Sequence, residues 1–191
     1  MMGMRARITL LALPTLMALT ACGAGPSDPT PTPTPTAVVA PVADCMAPGV
    51  LHDLGLVPAS VEDAEISPTS SSSAEPGSVP DGFVPVSVVV CTADGSLKNA
   101  SGTWLALTAS HREGDLAALV AALQEPSEPR GGTCSSGQAE APALWLVDAL
   151  GRALRPTWPT DRCGAPSAEV AEALAELQET DSEKYPVQQT P

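Results

Sequence analysis

Val86-Ser87-Val88-Val89-Val90-Cys91, the turn residues Ala93-Asp94-Gly95-Ser96, and the run Thr103 to Ala109 form the stretch on which the fold turns. Beta-branched residues suit a pleated, half-buried surface, so the two runs read as successive strands joined at a glycine turn. Asp115 then stands where a helix cap belongs. Leu116, Leu119, Val120 and Leu123 follow at i, i+3, i+4 and i+7, one apolar face that Pro126 ends. The order repeats. Leu144-Trp145-Leu146-Val147 is a third strand, turned through Asp148-Ala149-Leu150-Gly151 into Arg152-Ala153-Leu154-Arg155. Pro156 and Pro159 close it, and Ser167 precedes a last helix with Val170, Leu174 and Leu177 on one side. Glu169, Glu172, Glu176 and Glu179 fall on the other side, a solvated stripe rather than a metal site. Two strand-turn-strand-helix units predict the α+β class: a two-layer sandwich of two ββα units, its mainly antiparallel sheet covered by two helices.

Working outward, the ordered domain is expected over 83–180, after an irregular Ser/Pro-rich segment at 44–82 and before a disordered tail at 181–191. About 100 ordered residues with five aromatics make a small core, which cross-links would support. Cys45, Cys91, Cys134 and Cys163 allow three pairings. The local one, Cys134 with Cys163 and Cys45 with Cys91, is favoured because it staples the 44–82 segment to the end of the first strand.

The compartment is read from residues 1–22. Arg5 and Arg7 precede a short apolar run, Ile8 to Leu19, that is interrupted by Pro14; a spanning helix needs about 20 apolar residues, so 1–21 reads as a signal peptide. The junction Leu19-Thr20-Ala21-Cys22 resembles the bacterial lipobox, which implies cleavage before Cys22, a diacylglyceryl group on its sulfur and further acylation. Removing Cys22 from the five cysteines leaves an even set, as disulfide pairing in an oxidising compartment requires. Residues 22–43 form a tether around Pro29-Thr30-Pro31-Thr32-Pro33-Thr34-Pro35-Thr36. In polyproline II at ~3.1 Å per residue, Pro26 to Thr36 is a spacer of roughly 34 Å.

Charge excludes several functions. The chain carries 22 Asp+Glu against nine Lys+Arg, and loss of Arg5 and Arg7 leaves seven cations, a net of −15. Nucleic-acid partners need a cationic face, and anionic headgroups repel such a domain, so lipid alone would hold it at a membrane. His52 and His111 lack metal-ligand spacing, so no metal or other cofactor is expected. No G-x-S-x-G elbow or C-x-x-C pair occurs, and a triple of Ser135, His111 and Asp148 has no sequence support, so no catalytic residues are assigned.

The densest polar cluster is Arg152, Arg155, Asp161 and Arg162 with Trp158. It is a candidate seat for a carboxylate or phosphate. The alternative is an internal ion pair of Arg155 or Arg162 with Asp161 or Asp148. Asp148 itself suits the first position of the hairpin turn.

The stretch Leu144 to Arg152, with Arg155-Pro156 and Asp161-Arg162-Cys163-Gly164, resembles the C-terminal part of exported lipoproteins of high-GC Gram-positive (actinobacterial) bacteria, a resemblance that carries no assigned activity. Gly114-Asp115-Leu116, Cys134, a strand, a glycine turn and Cys163 show a fainter similarity to the Streptomyces subtilisin inhibitor family. That similarity implies an inhibitory loop at Ser135, Ser136 and Gly137, although the family's first disulfide needs a cysteine soon after Cys91, and none is there. The expectation is a membrane-anchored extracytoplasmic lipoprotein that acts by binding or as an envelope component, with a protein partner and without catalysis. A protease inhibitor and a small hydrolase are the alternatives.

Overall fold

A computed structural model describes residues 34–56, 74–134 and 141–190. The signal peptide, Cys22 and most of the tether lie outside the described residues, as do Ser135, Ser136 and Gly137.

Strand β1 (Pro85–Thr92) buries four residues in a row, Val88 to Cys91. A strand with one wet face would alternate, so an unbroken apolar run marks burial on both faces. Val88 and Val90 join Leu144, Leu146 and Leu154 in one core, whereas Val89 and Cys91 join Trp145, Ala153 and Leu107 in another. The two cores lie on opposite sides of the same sheet, because successive side chains of a strand point to opposite faces.

The other strands are β2 (Ser96–Asn99), β3 (Gly102–Glu113), β4 (Ala143–Asp148), β5 (Ala153–Leu154) and β6 (Gln178–Gln189). All named strands pair antiparallel: β3 with β1, β1 with β4, β4 with β5. On β3, Ser110 faces Val90 of β1 and Ser182 of β6, so these strands take opposite edges. Trp104 and Leu105 face β6 as well as β2, which places β2 on the β1 side.

Helices α2 (Ala117–Gln124) and α3 (Ala168–Ala175) bring Leu119, Leu123, Val170 and Leu174 onto the Val88 face. The Asp115 carboxylate accepts the Ala117 N–H at 3.0 Å, close to its expected capping role. Ser167 differs: its hydroxyl donates to Glu169 rather than accepting from the helix. The α+β class, the antiparallel sheet, two helices on one face and both disulfides, Cys45–Cys91 and Cys134–Cys163, stand as the sequence predicts.

Three segments depart from expectation. The 44–82 region holds helix α1 (Pro48–Asp53), whose Val50 is fully buried beside Leu56 against the Trp145 face, so that side of the sheet has its own cover. The described end of the 22–43 tether, from Thr34, is tied to the domain rather than being a free spacer. Ala37 donates to the Ser78 carbonyl at 2.9 Å, and Ala40 exchanges two backbone hydrogen bonds with Ala153. Gly77 permits this, since a Cβ there would collide with the backbone of Pro35 to Ala37. Finally, the disordered tail expected at 181–191 is a strand over most of its length: residues 178–189 form β6, laddered along almost the whole of β3. Its side chains are mostly exposed, and only Tyr185 and Val187 pack on the core, so the ladder carries it.

Candidate functional site: a guanidinium and an indole at one cleft

Ala153, Leu154 and Arg155 alternate across the sheet: Ala153 joins the Trp145 core, Leu154 the helix-covered core, and Arg155 lies 5.9 Å above the Trp145 ring. Bulk water hardly reaches the Arg155 side chain, which is 7% exposed. A buried cation costs several kcal/mol unless it is paired. The pairing comes from Asp53, the last residue of α1, whose Oδ2 accepts from Arg155 Nη2 at 2.6 Å. The Cys45–Cys91 bridge sets this meeting by holding the start of the α1 segment against β1.

One acceptor serves a group with five N–H donors. Arg155 Nε is buried without a partner among the described residues. Trp158 is in the same position: its ring packs against the helix-covered core, and its indole Nε1 is buried without an acceptor among the described residues. Both residues, with Asp53, border a cleft of about 200 Å³ at the edge of the sheet, walled further by Pro76, Ala141 and Pro142. Two residues that each carry a buried donor without a partner among the described residues thus border one cleft, where an acceptor-bearing group would gain hydrogen bonds once those side chains turn toward it.

Asp53→Asn is expected to lower unfolding free energy by about 3 kcal/mol, the low end for breaking a buried pair because Asp53 is 48% exposed. Urea unfolding measures it. A loss under about 0.5 kcal/mol, the level of an ordinary surface change, would mean that water already shields the guanidinium.

The remaining members of the basic cluster lie elsewhere. Arg152 sits at the β4–β5 turn, where its guanidinium meets Asp148 Oδ2 at 2.6 Å. Asp148 Oδ1 accepts the backbone N–H groups of Leu150 and Arg152, which is the turn role that the sequence assigns to it. Gly151 completes the turn with a φ of +79°. Burial pushes the Asp148 carboxyl up, but the hydrogen bonds and charge of Arg152, with the Leu150 and Arg152 amides, bring it below its usual 3.8. The turn's electrostatic support is therefore complete above that value and fades as pH falls through the lowered one.

Arg162 lies in the loop beside Cys163, its backbone N–H donating to Glu128 at 3.3 Å. Asp161, a suggested arginine partner, instead accepts the Cys163 and Ala165 amides at 2.8 Å each. The internal pairs are thus Arg155–Asp53 and Arg152–Asp148. Of the four suggested binding residues, Arg152, Arg155, Arg162 and Trp158, the structure brings only Arg155 and Trp158 to one cleft.

A larger cleft of about 670 Å³ runs between the end of α2 and the start of α3, bordered by Glu125, Glu128, Asp161 and Glu169. Three of these carboxylates are engaged locally, Glu128 and Asp161 with backbone amides and Glu169 with Ser167. His111 lies on β3 and Asp148 at the end of β4, with β1 between those strands, while His52 is on α1. Set against known protein families, curated proteins and solved structures, the chain matches none.

Proposed function

We propose that the protein is a lipid-anchored, extracytoplasmic binding protein of the cell envelope that acts without catalysis. The observation that carries the binding role is Arg155: a buried guanidinium with one acceptor, beside a cleft it shares with an orphaned indole N–H. Natural proteins leave few buried donors unpaired, and a ligand group supplies what is missing. Two disulfides among four cysteines accord with an oxidising compartment. The anchor rests on the sequence Leu19-Thr20-Ala21-Cys22, and no helix among the described residues is long and apolar enough to cross a membrane. The inhibitor alternative gains no observation, since Cys91 pairs with Cys45 and the loop after Cys134 lies outside the described residues.

The two halves are tested separately. Cys22→Ser is expected to move the exported protein from the membrane pellet to the soluble fraction, because two or three acyl chains hold firmly and a processed chain with net charge −15 adds no attraction of its own. An unchanged pellet fraction, or a bare thiol at Cys22 by mass spectrometry, removes the anchor. For binding, melting temperature is followed against a panel of envelope-derived peptides, sugars and small anions. At least one class should raise it; a panel with no shift at millimolar concentration removes the binding role.

A further inference from the structure

We infer that the Arg155–Trp158 cleft receives a monovalent carboxylate carried on a small apolar group, such as the end of a short peptide with alanine-sized side chains. The inference rests on the binding reading above and names its ligand. The two residues bordering the cleft with a buried polar atom unpaired among the described residues both present donors, Arg155 Nε and Trp158 Nε1, so the missing partner is an acceptor. A carboxylate is acceptor-only and matches a guanidinium edge.

The charge of the site sets the charge of the ligand. Arg155 already faces Asp53, and the processed chain around it has a net charge of −15 from seven Lys+Arg and 22 Asp+Glu. A phosphate dianion would be repelled by Asp53 and by that excess, while a single negative charge is opposed far less. Size sets the rest. At about 200 Å³ the cleft is smaller than the roughly 300–1,000 Å³ that encloses a whole drug-sized molecule, so it takes an end group. Pro76, Ala141 and Pro142 give that end group apolar walls without competing charge.

The two donors are buried in the empty cleft, so the carboxylate meets them as the Arg155 and Trp158 side chains adjust, and the tryptophan fluorescence reports it. Titration of the full-length protein in detergent with N-acetyl-Ala-Ala as the free acid is expected to saturate with a Kd of about 1 mM. Its C-terminal amide should bind at least tenfold more weakly, as should inorganic phosphate. Propionate distinguishes the source: weaker binding than the peptide acid assigns a chain end, and equal binding a free small acid, both within the proposal. Arg155→Lys keeps the charge opposite Asp53 but loses the planar fork, and should weaken the free acid about tenfold. Trp158→Phe keeps the packing and should weaken it about threefold with the melting temperature retained, so a poorly folded Arg155 variant does not decide the matter.

Equal binding of acid and amide overturns the inference, as does tighter binding of phosphate, unaltered affinity in Trp158→Phe, or no binding of the acid at 50 mM. Should another class from the wider panel bind while the acid does not, the binding role survives and this ligand assignment falls.

Discussion

Replacing Cys45 and Cys91 together by alanine is expected to lower the unfolding free energy by about 4 kcal/mol. The bridge spans 46 residues, and closing a loop of that length in the unfolded chain gives about that figure on the chain-entropy estimate. The Cys134–Cys163 bridge spans 29, which gives roughly 3.5 kcal/mol, and Cys134 stands exposed. Position separates the two further. Cys91 is fully buried in β1, and Cys45 leads into α1 on the Trp145 face. Without the bridge, α1 is held by the packing of Ala47, Val50, Leu51, Leu54 and Leu56 and by the Asp53–Arg155 pair. A six-residue helix has little stability of its own, since helices shorter than ~12 residues are marginal in water. Amide hydrogen exchange should therefore rise first in residues 48–56, ahead of β1 and β4. Urea unfolding of the double variant that shows a loss under about 1 kcal/mol would mean that apolar packing fixes α1 unaided.

Trp145→Ala is expected to cost a similar amount, about 4 kcal/mol, the middle of the range for truncating a buried aromatic. Trp145 is 1% exposed and joins β4 to the residues that cover it. Arg155 lies over its ring, so the truncation also removes a cation–π contact of about 1 kcal/mol and opens space beneath a buried charge. Trp145→Phe should cost much less, about 1–2 kcal/mol. It keeps a ring under the guanidinium and deletes an indole N–H that has no acceptor among the described residues. A denaturant series on Trp145→Ala, Asp53→Asn and the double variant gives the coupling between them. Strict additivity would show that the ion pair and the aromatic support act independently.

The sequence carried the middle of the fold and lost its margins, for physical reasons. β1, β4 and the two helices announce themselves because burial writes apolar periodicity into them. The unbroken run Val88 to Cys91 also held the sign of a second covered face, but α1 is only six residues long and opens on Pro48, too short for a helical period to show, so its destination was not written locally. β6 was missed because Gln178 to Gln189 gains its structure from backbone pairing with β3, which leaves little trace in side-chain hydropathy. Likewise, Ala93-Asp94-Gly95-Ser96 reads as the turn between two strands, yet Ser96 opens a further short strand, β2, against the start of β3.

At the site, Arg155 could be singled out because cations are scarce in this chain, and Trp158 because it is an aromatic set between Pro156 and Pro159. Asp53 could not. It lies 102 positions before Arg155, and only the staple and the lie of α1 bring them together. Arg152 and Arg162 resembled Arg155 in sequence and differ from it in setting: the first secures a hairpin and the second belongs to the disulfide loop.

The way the chain enters the domain bears on how it would respond to being pulled. Tension applied at Thr34 would act along a segment hydrogen-bonded in parallel to Ser78 and in antiparallel to Ala153. Those few bonds would part first. Peeling would then halt at Cys45, whose covalent tie passes the load directly into β1 at the centre of the sheet. Only the 11 residue-to-residue steps from Thr34 to Cys45 would pay out, about 37 Å at ~3.4 Å each, and the helix carrying Asp53, beyond the covalent tie, would be shielded from the pull.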